Sequence, residues 1–157
     1  MILFDDISNE AKVWVYLSKT KFNANQKKII SKLSLSFLSD WKSHGEQVKG
    51  SVNVIENCFL LISAEVTSDT MCGRAVDSNV RFVKEIEKQT ELNLLDRMTV
   101  AYRSKDDSIN ITSFSTLKSQ IENENDLDLK SVFNPMVSTK KEFLSSFEEP
   151  FEKSWIA

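Results

Sequence analysis

The sequence predicts an α+β fold of the split βαβ kind, followed by a helical C-terminal extension. Three observations lead there. Short apolar runs rich in β-branched and aromatic residues alternate with stretches whose apolar residues recur every three or four positions. Their order is strand, helix, strand, strand, helix, strand. No Pro- or Gly-rich linker and no internal sequence repeat divides the 157 residues, a length at which one core is the default.

Lys12-Val13-Trp14-Val15-Tyr16-Leu17 has little polar alternation, so both faces of this strand are expected to be covered. From about Asn25 the period changes, with Ile30, Leu33, Phe37 and Trp41 on one side of a helix. Gly45 is placed to end that helix as a left-handed cap, with His44 in its last turn. Ser51–Ile55 and Phe59–Ala64, separated by Glu56-Asn57-Cys58, read as a hairpin. Asp77 or Ser78 offers a capping oxygen to a second helix, where Val80, Val83 and Ile86 face inward and Arg81, Lys84, Glu85 and Lys88 face water. Arg97–Tyr102 and Ile109–Ile111 suggest a second hairpin. Phe114, Leu117 and Ile121 mark a short third helix, and Val132-Phe133 a brief strand. Thr139 and Glu142 fit a capping box ahead of Phe143, Leu144 and Phe147, and Pro150 stops the last helix.

The first six elements match the order of a ferredoxin-like sandwich. Residues 1–157 are therefore read as a single α+β domain, with the sheet and two helices over about 11–104 and the extension over about 105–157.

The composition excludes several function classes. Apolar residues make up 41% and charged residues 27%, which suits a folded domain rather than a disordered one. A net charge of −3 argues against a general nucleic-acid binder, whose affinity comes from clustered Lys and Arg. Lys27, Lys28 and Lys32 read as the solvated face of a helix. No run approaches the ~20 apolar residues that span a bilayer, and the N-terminus lacks the basic start of an export signal. With Cys58 and Cys72 read as reduced thiols, the expected location is the cytoplasm. Gly45, Gly50 and Gly73, the only glycines, lie too far apart for a phosphate-cradling loop, and one histidine cannot supply a multi-His metal site. Neither metal nor cofactor is expected.

Cys72-Gly73-Arg74-Ala75-Val76-Asp77-Ser78 is a small-residue loop entering a helix N-terminus, where free amides and the helix dipole favour an anion. Gly73, Arg74, Asp77 and Ser78 are its candidate ligand-binding residues, against the plainer reading that Asp77 caps the helix and Gly73 permits a turn. His44 is the only side chain that titrates near neutral pH without large perturbation, and it equally suits packing at a helix end. His44, Asp77 and Cys72 contain the residue types of a base, an orienting acid and a thiol nucleophile. Glu122, Glu124, Asp126 and Asp128 lack the turn glycine and distal Glu of a calcium loop and read as a solvated loop. Trp14, Trp41 and Phe37 fall on core positions. Trp155 stands in an apolar tail and folds onto its own domain or meets a partner.

Several pieces of the chain together resemble a small family of single-domain proteins from Bacteroidetes that carries the label "ABC transporter ATPase". They are Ala11–Tyr16, Trp41–Gly45, Val76–Phe82, Leu95–Met98, Val132–Asn134, Ser138–Lys140 and Ser154-Trp155. The resemblance spans nearly the whole chain and implies a bacterial protein, with no activity, substrate or catalytic residue to carry over. The label conflicts with the chemistry, because there is no Walker A glycine loop with its Lys. One departure concerns the loop before the second helix. The family is expected to read Ser-Gly-Cys-Ser there, whereas this chain has Cys72-Gly73-Arg74-Ala75, so a thiol mechanism is not shared by position.

The leading expectation is a binding or interaction module that presents the Cys72–Asp77 loop and the end of the first helix to a small anionic ligand or a protein partner, with a homo-oligomer possible. The rival is an enzyme using His44, Asp77 and Cys72 for acid–base or nucleophilic chemistry.

Overall fold

The computed structural model describes residues 4–65, 73–124 and 126–157, with the side chains of residues 73 and 74 outside that description. A 3-10 turn, Phe4–Asp6, precedes β1, Lys12–Leu17. Helix α1, Ala24–Asp40, is followed by a ribbon of β2, Lys42–Ser43, and β3, Glu46–Gln47. Next come the hairpin of β4, Gly50–Ile55, with β5, Phe59–Ala64, and helix α2, Gly73–Thr90. A second hairpin pairs β6, Thr99–Arg103, with β7, Ile109–Ser113, and leads into α3, Phe114–Asn123. The chain ends with β8, Ser131–Phe133, α4, Lys140–Ser146, β9, Glu148–Pro150, and a 3-10 turn, Phe151–Lys153.

The result is an α+β fold with antiparallel sheets in two main layers. The first sheet has the order β1-β5-β4 and the second β7-β6-β8-β9. Side chains of β1 explain the absence of polar alternation in its sequence: Tyr16 enters the core beneath α1 and α2, while Val13, Val15 and Leu17 enter the core facing the second sheet. All six residues of β5, the central strand, are buried for the same reason. Phe59 packs against Phe133 and Phe147 between the sheets. Val100, Leu117 and Val132 build a third core between the second sheet and α3.

Several expectations are corrected. Thr99–Arg103, expected as the fourth strand of one sheet, lies in the second sheet between β7 and β8. The C-terminal part supplies β7, β8 and β9 to that sheet in addition to two helices. Helix α1 ends at Asp40 rather than near Gly45, because Trp41 leaves the helix in an extended conformation and turns its indole inward, 1% exposed. His44 and Gly45 instead form the two-residue turn of the β2–β3 ribbon, both with positive φ (52° and 80°), the conformation that matches strand twist in tight hairpins. Helix α2 starts at Gly73, so Asp77 and Ser78 lie inside it rather than capping it. Leu144 is 62% exposed, although Phe147 is buried as expected. The Thr139 hydroxyl accepts from the Glu142 amide at 3.1 Å, but the Glu142 carboxylate accepts from the Ser138 amide, one residue short of a reciprocal box.

Candidate functional site

β1 has two edges, and their hydrogen bonding differs. Ser18 donates its amide to Cys58, extending the register with β5, so Lys12, Trp14 and Tyr16 turn their backbone groups to β5 and Val13, Val15 and Leu17 turn theirs outward. At one end the outer edge is covered: the Val13 amide donates to the Ser138 carbonyl and the Lys140 amide to the Ala11 carbonyl, around a bridge between Lys12 and Thr139. Beyond Val13 the chain at Pro135 and Met136 turns away, leaving a groove of about 850 Å³ along the strand. Trp14 and Val15 border it on the strand side, Val76 of α2 and Leu94 on another, and Met136 to Thr139 opposite.

Charge enters this groove at Lys12 and Arg97, with Glu10 and Asp96 also on its lining. Asp96 is tied down: Lys19 reaches it at 2.9 Å and the Met98 amide donates to it at 2.9 Å. The hydrogen bond from Lys19 first, and that amide second, hold its carboxyl below the usual carboxylate range. The turn fixed this way carries Arg97, whose Nη1 donates to the Val15 carbonyl at 3.4 Å and whose guanidinium lies 5.4 Å from the centre of the Tyr16 ring. Tyr16 donates its hydroxyl to Asn79 of α2 at 3.1 Å, and burial raises its pKa. Asn79 is itself buried, so this bond ties β1 to the helix behind the groove. No imidazole or thiol is among the lining residues.

Among the described residues, the candidates His44, Asp77 and Ser78 do not line this groove. Cys72 lies outside the described residues. Gly73 and Arg74 are the first two residues of α2. Asp77 and Ser78 line a shallow depression of about 700 Å³ with Asp40, Lys42, Val80, Arg81 and Lys84, and Arg81 donates to the Ser78 hydroxyl at 3.1 Å. His44 is exposed on its turn and absent from that lining, and no hydrogen bond joins it to Asp77 among the described residues. The acid–base arrangement of His44 and Asp77 is therefore not assembled in this conformation. Val76 lines the groove and Asp77 the depression, so the first turns of α2 form a wall between them.

Trp155 packs on its own chain: its ring stacks on Phe114 at 5.9 Å and its Nε1 donates to the Phe133 carbonyl at 3.1 Å. Glu122, Glu124, Asp126 and Asp128 do not converge, and among the described residues no group of three or more His, Cys, Asp or Glu is placed to hold a metal. Asp128 accepts from the Lys105 amide and Asp126 meets the Lys105 ammonium. No helix among the described residues is long and apolar enough to cross a membrane.

Sequence reasoning missed Lys12, Trp14, Asp96 and Arg97 as groove residues. Composition carries no signal for them, because a lone Arg ahead of a strand is ordinary. The groove exists only because β6 joins the second sheet rather than the edge of β1. No family model matches the chain, nor does any curated protein or solved structure.

Proposed function

We propose that this protein is a binding module whose site is the groove along the outer edge of β1, and that it takes a ligand bearing a carboxylate or phosphate group. The observation that carries this reading is the pair Lys12 and Arg97: both line the groove, and neither has a carboxylate partner among the described residues. Asp96 does not cancel them, since Lys19 already answers its charge. Arg97 offers a planar fork of donors, most of which remain available to an acidic group. Trp14 and Val76 supply apolar surface beside it, the mixture that small-ligand sites use.

Within this reading, the start of α2 borders the site through Val76, while Asp77 and Ser78 belong to the neighbouring depression. The first sheet with α1 and α2 is read as the three-stranded portion of a split βαβ sandwich, its fourth position left open as the groove. The likeness to the Bacteroidetes family and a cytoplasmic location belong to the same proposal and rest on sequence alone.

The test is a two-dimensional amide NMR titration of the full chain with inorganic phosphate and with a panel of short mono- and dicarboxylates. Shifts are expected at Val15, Arg97 and Ser138, and are expected to disappear in Arg97→Glu. Shifts that persist in that variant, or that cluster around Lys42 and Arg81 instead, defeat the assignment to this groove.

A further inference from the structure

The second sheet ends at β7, and no other strand among the described residues pairs with that edge. The Phe114 amide donates to Met98 and the Ser104 amide to Ser108, which fixes the β6–β7 ladder so that Asn110 and Thr112 bond to β6. Ile109, Ile111 and Ser113 turn their backbone groups away from the sheet, and the amides and carbonyls of Ile109 and Ile111 have no partner among the described residues. All five residues of β7 are half-exposed. Folded proteins blunt such an edge with a charge, a proline, a bulge or a covering segment. Here the run Ile-Asn-Ile-Thr-Ser has no charge and no proline, and its register with β6 is unbroken from Arg103–Ile109 to Thr99–Ser113. The opposite edge of the same sheet, β9, carries two glutamates and Pro150.

We propose that β7 is a dimerisation edge: two copies of this chain join their second sheets antiparallel about a two-fold axis through Ile111. In that register Ile111 exchanges both backbone bonds with its own copy, and Ile109 pairs with the partner's Ser113. The interface is then isologous and closes the edge completely. Charge supports a second copy as the occupant. Continuing the register places Asp106 and Asp107, at the tip of the β6–β7 hairpin, beside the first turn of the partner's α3. Asp107 is held by its own Lys130, so Asp106 is the carboxylate left to meet the positive end of that helix. Ile109 and Ile111, packed against the core between the sheets, lose their remaining exposure when the same residues of the second copy lie alongside.

The experiment is sedimentation velocity of the full chain over a dilution series, with amide hydrogen exchange recorded at both ends of it. A dimer is expected at high concentration, with the Ile109 and Ile111 amides protected there and exchanging freely on dilution. Ile111→Lys, which sets two ammonium groups against each other at the axis, is expected to be monomeric with unchanged far-UV circular dichroism. Ile111→Pro, which removes an amide that no bond in the monomer uses, is expected to behave likewise. A wild-type chain that is monomeric at every concentration overturns the proposal. So does a dimer that survives both substitutions, or one whose protected amides lie in β4 rather than β7. Should either variant fail to fold, the concentration dependence of Ile109 and Ile111 exchange in the wild type decides the matter.

Discussion

Replacing Gly50 with alanine tests the packing behind the groove, because the outcome has opposite signs under two readings of that glycine. In a strand, Gly→Ala at a compatible backbone conformation ordinarily stabilises by about 0.4–1 kcal/mol, by restricting the unfolded chain. At Gly50 the new Cβ would lie 2.8 Å from the Ser63 carbonyl oxygen and 2.8 Å from the Trp41 ring. Separations near ~3.5 Å are needed before such contacts become favourable, so both neighbours must give by about 0.7 Å. Neither is free to do so. Ser63 belongs to the central strand, and Trp41 is packed against Phe37 and Trp14 while its Nε1 donates to the Ala75 carbonyl at 2.8 Å. Overpacking costs about 1–3 kcal/mol and a weakened indole bond about 1 more, so a loss of roughly 2–4 kcal/mol is expected. At about 2–4 °C per kcal/mol for a chain of this size, the melting temperature should fall by roughly 4–16 °C. Differential scanning calorimetry reads this directly, and Trp41→Leu in the alanine background should recover part of it, a non-additivity that marks direct contact. A Gly50→Ala chain as stable as the wild type would refute the packing argument.

Three further outcomes follow from the geometry. Arg103 donates to both oxygens of Glu148, at 2.7 and 3.1 Å, and reaches Glu56 in the β4–β5 turn at 3.2 Å, so Glu148→Gln should cost roughly 1 kcal/mol at neutral pH by urea unfolding, given that the carboxylate is partly solvated. The Arg103 hydrogen bonds hold the Glu148 pKa below its ordinary value, so that contribution is present above about pH 4.3 and is lost as pH falls through the folded value; the difference between wild type and Glu148→Gln should vanish in acid, and a difference independent of pH would contradict the pairing. Lys140 is 5% exposed and donates to the carbonyls of Phe4 at 2.8 Å and Ile7 at 2.6 Å, so Lys140→Met should cost about 1.5–3 kcal/mol and free the N-terminal turn to exchange its amides, whereas protected amides there would show that the clamp is dispensable. Cys58 is buried and its thiol pKa is pushed up to about 12, mainly by that burial, so in a Cys72→Ser chain it should resist a disulfide reagent at mildly alkaline pH until the protein is unfolded; rapid native labelling would contradict its placement.

The elements were legible in the sequence where local chemistry and tertiary demand agree. Asn23 and Gln26 cap α1 reciprocally, at 2.8 and 2.9 Å, just ahead of the periodicity that marks the helix. The β4–β5 turn needs left-handed residues at Glu56 and Asn57, and the three-residue spacing between the two apolar runs revealed a hairpin there. Trp41 was legible as a core residue but not as the end of a helix. Its ring continues the Ile30, Leu33, Phe37 period, yet its backbone must be extended for the indole to reach Ala75. Periodicity reports which side a residue faces and is silent on whether the helix continues to it. The same silence misplaced Gly45: a glycine after an apolar period fits a helix cap and a hairpin turn equally well, and the burial of Trp41 and Val48 on either side of the ribbon decides for the turn.

The site was far less legible, because it depends on which strand does not pair. A sequence states that Thr99–Arg103 is a strand, but its choice of sheet follows from partners that come later in the chain, β7 directly after it and β8 further on, whose side chains build a third core with α3. Joining β1 instead would leave Val100 and Tyr102 without that core. The strand therefore goes to the second sheet, and the edge of β1 is closed at one end by Ser138 and Thr139 and crossed by Arg97 further along. Binding chemistry at β1 and pairing chemistry at β7 thus have one origin. Burying the three cores leaves each sheet with an edge of unspent backbone groups. The edge beside Lys12 and Arg97 carries charge suited to an acidic ligand, while the uncharged edge at Ile111 suits another strand.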